Sequence, residues 1–284
     1  FFQAEDGIRD SVASRGLGDV YKRQGANGGL GLETVKQLIA KHKPRTNSSI
    51  PRQDGNVLMS VILACRKLDS AYAAIKLLSN DIPPDGSVRV HAMELDLANF
   101  VSIKSFAVDI MLQFPKPDCL ICNAGVLVPS EQHAVDDSSL TADGHDINIG
   151  VNHLGHFHIT SLLMEHLRKS EKSRVIVVSS ILLKNASLRM DLLRNSMKAV
   201  QVQTGSENQS EVASDMIHTS KKTDSKANYN ESKLMNALFA RELAHRLKEQ
   251  GIENVSVYCV SPGWCKTNLH RNLNTPWYTY VLAP

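Results

Sequence analysis

The run Val57 to Ala64 (VLMSVILA) carries no charge and a single hydroxyl, Ser60. A strand of that composition must be covered on both faces, which happens in parallel sheets held between helices. The neighbouring stretches fit such a sheet. Leu68–Leu78 reads as a helix, Val88–Leu95 as a strand, and Phe100–Phe114 as a helix stopped by Pro115 and Pro117. Asp118–Cys122 is a short strand running into Asn123-Ala124-Gly125. Ile147–Lys169 reads as one long helix and Arg174–Ser180 (RVIVVSS) as a strand. Tyr229–Gln250 is a helix with Gly251 as its C-cap, and Val255–Val260 is a strand ending at Ser261-Pro262-Gly263. Strands separated by helices predict the α/β class: a Rossmann-type doubly wound parallel sheet in three layers. Ligands of such sheets lie at the carboxyl ends of the strands, where strand order reverses. Gly25, Arg66, Asp96, Asn123, Ser180 and Pro262 all fall at those ends.

Two patterns carry chemistry. The turn Gly25-Ala26-Asn27-Gly28-Gly29-Leu30-Gly31 precedes an amphipathic run with Leu32, Val35, Leu38 and Ile39 at helical spacing. A glycine-rich turn lets backbone approach a pyrophosphate, and the helix N-terminus offers free N–H groups and positive potential. The spacing Gly-x-x-x-Gly-x-Gly differs from Gly-x-Gly-x-x-Gly, and no Gly-Lys-Ser/Thr follows, which argues against a phosphate-transferring P-loop. The second pattern is Tyr229-Asn-Glu-Ser-Lys233. On a helix, positions i and i+4 share a face. A phenol beside an ammonium is favoured as phenolate, so its pKa is expected to fall toward the range useful for proton exchange with a substrate oxygen.

Together these segments resemble the short-chain dehydrogenase/reductase family, in its retinol dehydrogenase and WW-domain-containing oxidoreductase branch. The resemblance runs from residue 25 to about 284. It is carried by the glycine turn, Ala64-Cys65-Arg66, Leu95-Asp96-Leu97, Cys122-Asn123-Ala124-Gly125, Val151-Asn152-His153-Leu154-Gly155-His156-Phe157, Val178-Ser179-Ser180, Tyr229-x-x-x-Lys233, and Pro262-Gly263 with Thr267. It implies Tyr229 as acid/base and Lys233 as the group that depresses its pKa and holds the nicotinamide ribose. Ser180 would orient the substrate oxygen, and Asn152 would hold a water linking Lys233 to solvent. It implies Gly25, Asn27, Gly29, Leu30 and Gly31 at the pyrophosphate, and Asp96 and Leu97 at the adenine. Asn123, Ala124 and Gly125 would meet the adenine ribose, and Pro262, Gly263 and Thr267 the nicotinamide.

NAD enzymes place a carboxylate after the second strand, to accept from the ribose 2′-hydroxyl. Here the residues are Arg66 and Lys67, and Arg66 can fork onto a 2′-phosphate, so NADP is expected over NAD. The implied activity is alcohol–carbonyl interconversion on a small lipophilic substrate of the retinoid, steroid or lipid aldehyde class. The alternative is a non-catalytic dinucleotide-binding scaffold acting through partners.

Other signals read plainly. Cys119 and Cys122 form a Cys-x-x-Cys, but three positions along a strand face opposite sides of the sheet. His153, His156 and His158 crowd one helix, yet 158 turns away from the other two, and no metal is expected. A formal charge of +3, without a basic patch interleaved with aromatics, argues against nucleic acid. Five cysteines without a secretory framework suit a reducing compartment. No apolar stretch reaches the roughly 18 residues that spanning a bilayer takes. A cytoplasmic location is expected, with membrane association of a longer protein and homo-oligomerisation both left open.

Residues 41–56 and 181–228 read as polar insertions, the second an exposed excursion beside the substrate cleft that could act as a lid. Asp19–Gln24 (DVYKRQ) stands where a central apolar strand belongs; Lys22 and Arg23 would be costly there unless paired. Residues 1–24 resemble a translated adapter sequence fused to a truncated reading frame, which leaves one Rossmann domain over 25–284. The chain also stops ahead of where the family's last strand is expected. On that reading it should fold poorly and turn over little.

Overall fold

In the computed structural model the described residues are 19–24, 29–41, 57–114, 116–128, 140–188 and 225–263. Strand β1 (Asp19–Gln24) leads to helix α1 (Gly29–Lys41), β2 (Met59–Cys65), α2 (Leu68–Leu78), β3 (Val88–Glu94), α3 (Phe100–Gln113) and β4 (Cys119–Cys122). Then come α4 (Ile147–Ile149), a π-turn (Gly150–Leu154), α5 (Gly155–Leu167), β5 (Ser173–Val178), a 3-10 turn (Ile181–Asn185), α6 (Ser225–Glu249) and β6 (Val255–Val260).

All six strands are parallel, in the order β3-β2-β1-β4-β5-β6. Strand order reverses between β1 and β4, the crevice where such sheets bind ligands. The expected doubly wound α/β fold is therefore the observed one. The sheet takes in Asp19–Gln24, six residues ahead of the domain start expected at 25, and the backbone of this polar segment holds the central position. Lys22 stands in register with Ile62 and Leu120, and Arg23 with Leu63 and Ile121.

Alternation along β2 divides the core. Met59, Val61, Leu63 and Cys65 pack with Val35 and Ile39 of α1 and Ala71, Ala74 and Leu78 of α2. Ile62 and Ala64 face the other way, onto Ile103, Phe106 and Ile110 of α3 and Ile159 and Leu163 of α5. A third cluster joins Leu120, Val175 and Val177 to Leu167 of α5 and to Ala240 and Leu247 of α6. Period-two strands buried on both sides produce this three-layer arrangement. Cys119 falls in the first cluster and Cys122 in the third, on opposite faces.

Two helices show local control. Helix α6 ends in a Schellman motif: Gly251, at φ 68°, gives its N–H to Lys248 O (3.0 Å), while Ile252 N–H reaches Leu247 O (2.9 Å). The long helix expected over Ile147–Lys169 is instead interrupted by the π-turn. Gly150 opens that turn and Gly155 follows it. A Cβ on Gly150 would strike the Thr141 methyl, and one on Gly155 would sit 2.8 Å from Leu97 O. The absence of both side chains lets the turn lie against the segments after β3 and before α4.

Candidate active site

Tyr229 and Lys233 lie in the second and third turns of α6, both buried, one helical turn apart. The helix is fastened to the carboxyl end of β5. Ser179 Oγ donates to Lys233 O at 2.7 Å, and Lys233 Nζ and Asn236 Nδ2 both donate to Val178 O, at 3.2 and 3.3 Å. Ser180 starts the 3-10 turn; its Oγ accepts from Leu182 N–H (3.3 Å), and the hydroxyl is near enough to the Tyr229 phenol to lower its pKa. Ser180 and Tyr229 are thus brought together at the carboxyl end of β5.

Asn152 occupies the π-turn, fully buried. Its Oδ1 accepts from Val126 N–H (2.7 Å), and its Nδ2 donates to Val126 O and to Ser232 Oγ, both at 3.0 Å. Ser232 Oγ in turn donates to Tyr229 O at 2.7 Å. The Asn152 amide therefore clamps the turn after β4 to α6. Asn148 repeats the device on Val128, with bonds of 3.0 and 3.3 Å. Asp146 caps α4 through the N–H groups of Asn148 and Ile149 and accepts from Asn228 Nδ2 at 2.8 Å.

Electrostatics correct one expectation. The Lys233 ammonium stands over the Tyr229 ring, 5.6 Å from its centroid. Burial pushes the Tyr229 phenol above its ordinary pKa, and the Ser180 hydroxyl offsets part of that rise. The expected depression by Lys233 is overridden, because taking a phenolate out of water costs more than this contact returns. Burial also lowers Lys233 to about 8, opposed by the nearby Cys259. Cys122 is pushed up to about 12 by burial, with Thr160 beside it at 3.6 Å, which makes it an inert core thiol.

The remaining candidates divide. Arg66 and Lys67 are exposed at the end of β2, and Asp96 uses Oδ1 to accept from Ala98 N–H at 2.9 Å. Leu97 packs inward with the α3–α5 cluster. Asn123, Ala124 and Gly125 form the turn after β4, all partly buried. Gly29 opens α1 at φ 53°, a conformation that favours glycine, followed by Leu30 and the buried Gly31. Pro262 and Gly263 are exposed after β6. Gly25, Asn27, Thr267 and positions 189–224 of the excursion expected over 181–228 lie outside the described residues; at its two ends the structure has the 3-10 turn Ile181–Asn185 and the start of α6 at Ser225, four residues ahead of the helix start expected at Tyr229. Ser179, Ser232, Asn236 and Asn228 were missed. Three of them, at 228, 232 and 236 along α6, form a polar i, i+4 stripe beside the Tyr–Lys face, and that stripe is the signal that could have found them.

A buried tyrosine–lysine pair stands beside the carboxyl end of β5 in a doubly wound parallel sheet, and residues 57–204, just over half the chain, match the short chain dehydrogenase family. The chain belongs to that family. It is 33% identical to retinol dehydrogenase 14 of Mus musculus over 89% of this chain and 63% of that protein. Against retinol dehydrogenase 13 of Homo sapiens it is 32% identical over 87% of this chain and 59% of that protein. For the WW domain-containing oxidoreductase of Gallus gallus the figures are 32%, 93% and 52%. The chain thus spans between about half and two thirds of the length of these relatives. Salutaridine reductase from Papaver somniferum shares the fold, with a TM-score of 0.57 at 22% identity and 88% of each chain covered. A metagenomic short-chain oxidoreductase solved in complex with NADP does so at 0.55 and 19%, over 87% of this chain and 83% of that one. Among the described residues no helix is long and apolar enough to cross a membrane, and no cluster of His, Cys, Asp and Glu could hold a metal.

The residues present fit a nicotinamide dinucleotide. A Cβ on Gly125 would stand 3.4 Å from both Lys233 Nζ and Asn152 Oδ1, so the open face of this glycine is a cradle over the ammonium. An ammonium has three N–H donors, and Val178 O takes one of them. The others suit the hydroxyls of a ribose.

Proposed function

We propose that this protein is an NADP(H)-dependent oxidoreductase that interconverts alcohol and carbonyl groups on a small lipophilic substrate of the retinoid, steroid or lipid aldehyde class. The observation that carries the proposal is the Ser180–Tyr229–Lys233 cluster facing the Gly125 cradle. The nicotinamide, when bound, supplies hydride transfer. Every other task falls to the chain. Ser180 donates to the substrate oxygen and fixes its position against the Tyr229 phenol. Tyr229 passes its proton to a carbonyl oxygen as that oxygen gains negative charge, or takes it from an alcohol in the reverse direction. Lys233 holds the ribose through its Nζ, and its positive charge stabilises the phenolate left by proton transfer. Asn152 keeps the 125–126 turn at the right distance.

NADP rather than NAD is supported by Arg66 at the end of β2, where a guanidinium can fork onto a 2′-phosphate. Fold neighbours solved with NADP and NADPH are consistent with it. The likeness to retinol dehydrogenases supports the lipophilic substrate class. The test is consumption of NADPH and NADH against a panel of lipophilic aldehydes and ketones. Turnover is expected with NADPH favoured, and Arg66→Ala should cut that preference about tenfold or more. NADPH binding with no turnover on any member of the panel would replace this reading with the non-catalytic scaffold.

A further inference from the structure

His156 is fully buried on the first turn of α5, and the mechanism above assigns it nothing. Its Nδ1 lies 2.9 Å from the carbonyl oxygen of Asn152. A carbonyl only accepts, so Nδ1 carries the proton and Nε2 is a bare lone pair. That Nε2 is buried without a hydrogen-bond partner among the described residues. Free imidazole has no need of this arrangement; here the fold imposes it. The reason lies in the π-turn. Gly155 N–H reaches back five residues to Gly150 O, which shifts the backbone ladder at this point. The imidazole of residue 156 supplies a donor to the Asn152 carbonyl. Thr160 Oγ1 donates to His156 O at 2.7 Å and anchors the same turn beside Cys122.

We infer that His156 is a positioning residue for the active site: its Nδ1–H holds the Asn152 peptide, and with it the amide that clamps Val126 next to the Lys233 ammonium. The inference rests on reading Asn152 and Lys233 as active-site groups. The titratable groups facing the imidazole are Lys233 of α6 and His153 of the π-turn. Burial, then these two neighbours, bring His156 down to about 3, against the hydrogen bond to Asn152. The ring stays neutral at working pH and adds no second cation against Lys233.

Nitrogen-detected NMR of the full chain reads the tautomer directly. His156 should appear protonated at Nδ1 and bare at Nε2, unchanged from pH 8 to about 5. A proton on Nε2, or titration near pH 6.5, would overturn the inference. The substitution H156N places a side-chain amide nitrogen near the position of Nδ1, so it should keep kcat within about threefold of the wild type. H156L removes the donor and should lower kcat about tenfold or more. Full activity in H156L, or equal loss in both variants, contradicts the role. Should H156L not fold, H156N and the wild-type tautomer still decide. Should the wild type turn over no carbonyl, the functional reading fails instead. The Val126 amide resonance, expected to move in H156L and not in H156N, then judges the positioning claim alone.

Discussion

Lys233 meets two opposed demands. Burial costs it stability as a cation, and the proposed chemistry needs it charged. Its folded pKa of about 8 lies below the ordinary 10.5. Below pH 8 both folded and unfolded chains hold the proton, so the burial cost is felt in full. Between about 8 and 10.5 the unfolded chain holds more protons, and stability rises with pH. Lys233→Met should therefore raise stability at pH 7 by about 1–3 kcal/mol, an advantage that shrinks as pH climbs through this window, while abolishing turnover. Denaturant melts at pH 7 and pH 10 measure it; an advantage that grows with pH would show the sign to be wrong. This residue and Tyr229 were legible in the chain because i, i+4 spacing on a helix is a local rule. The direction of the Tyr229 shift was not, because burial is a property of the packed fold. His156 was hidden for the same reason: its partner, Asn152 O, belongs to a turn that no periodicity announces.

The π-turn and the central strand are the elements where sequence and structure part. A 3.6-residue pattern over Ile147–Lys169 reads as one helix, since an i to i+5 insertion leaves the apolar spacing almost intact. Two glycines separate its structural and functional sides. Gly155→Ala drives a Cβ to 2.8 Å of Leu97 O, a backbone atom, and should cost about 1–3 kcal/mol of stability. Gly125→Ala meets only ordinary contacts at 3.4 Å. It should melt like the wild type yet bind NADPH about tenfold more weakly. Melting curves paired with nucleotide fluorescence check both, and a Gly125→Ala variant with unchanged affinity would remove the cradle from the account. Strand β1 poses the converse problem. Its polar composition argues against a central strand, but its backbone pairs with β2 and β4. The residues in register with positions 22 and 23 are buried and apolar. Lys22→Val with Arg23→Ile should raise stability by about 1–3 kcal/mol, read as a higher Tm. A fall in Tm would mean that these positions are not central.

Across the whole molecule, the alternation of strands and helices was readable from apolar runs, because burial on both faces imposes itself on composition. Strand order was not, since parallel crossovers of similar length can wind in more than one direction from the first strand. The polar start of the chain led to the expectation of poor folding. The described residues instead form a continuous six-stranded sheet with three apolar clusters, which predicts a cooperative melt. NADPH at a hundredfold excess over its Kd should add about 2.7 kcal/mol to that melt, and NADH at equal concentration should add less. The account stands most directly on Tyr229. Steady-state reduction of a lipophilic aldehyde by NADPH, compared between the wild type and Tyr229→Phe, should show kcat falling by about 10²–10⁴-fold with NADPH affinity retained. Equal turnover by both proteins would contradict the assignment of proton transfer to this phenol.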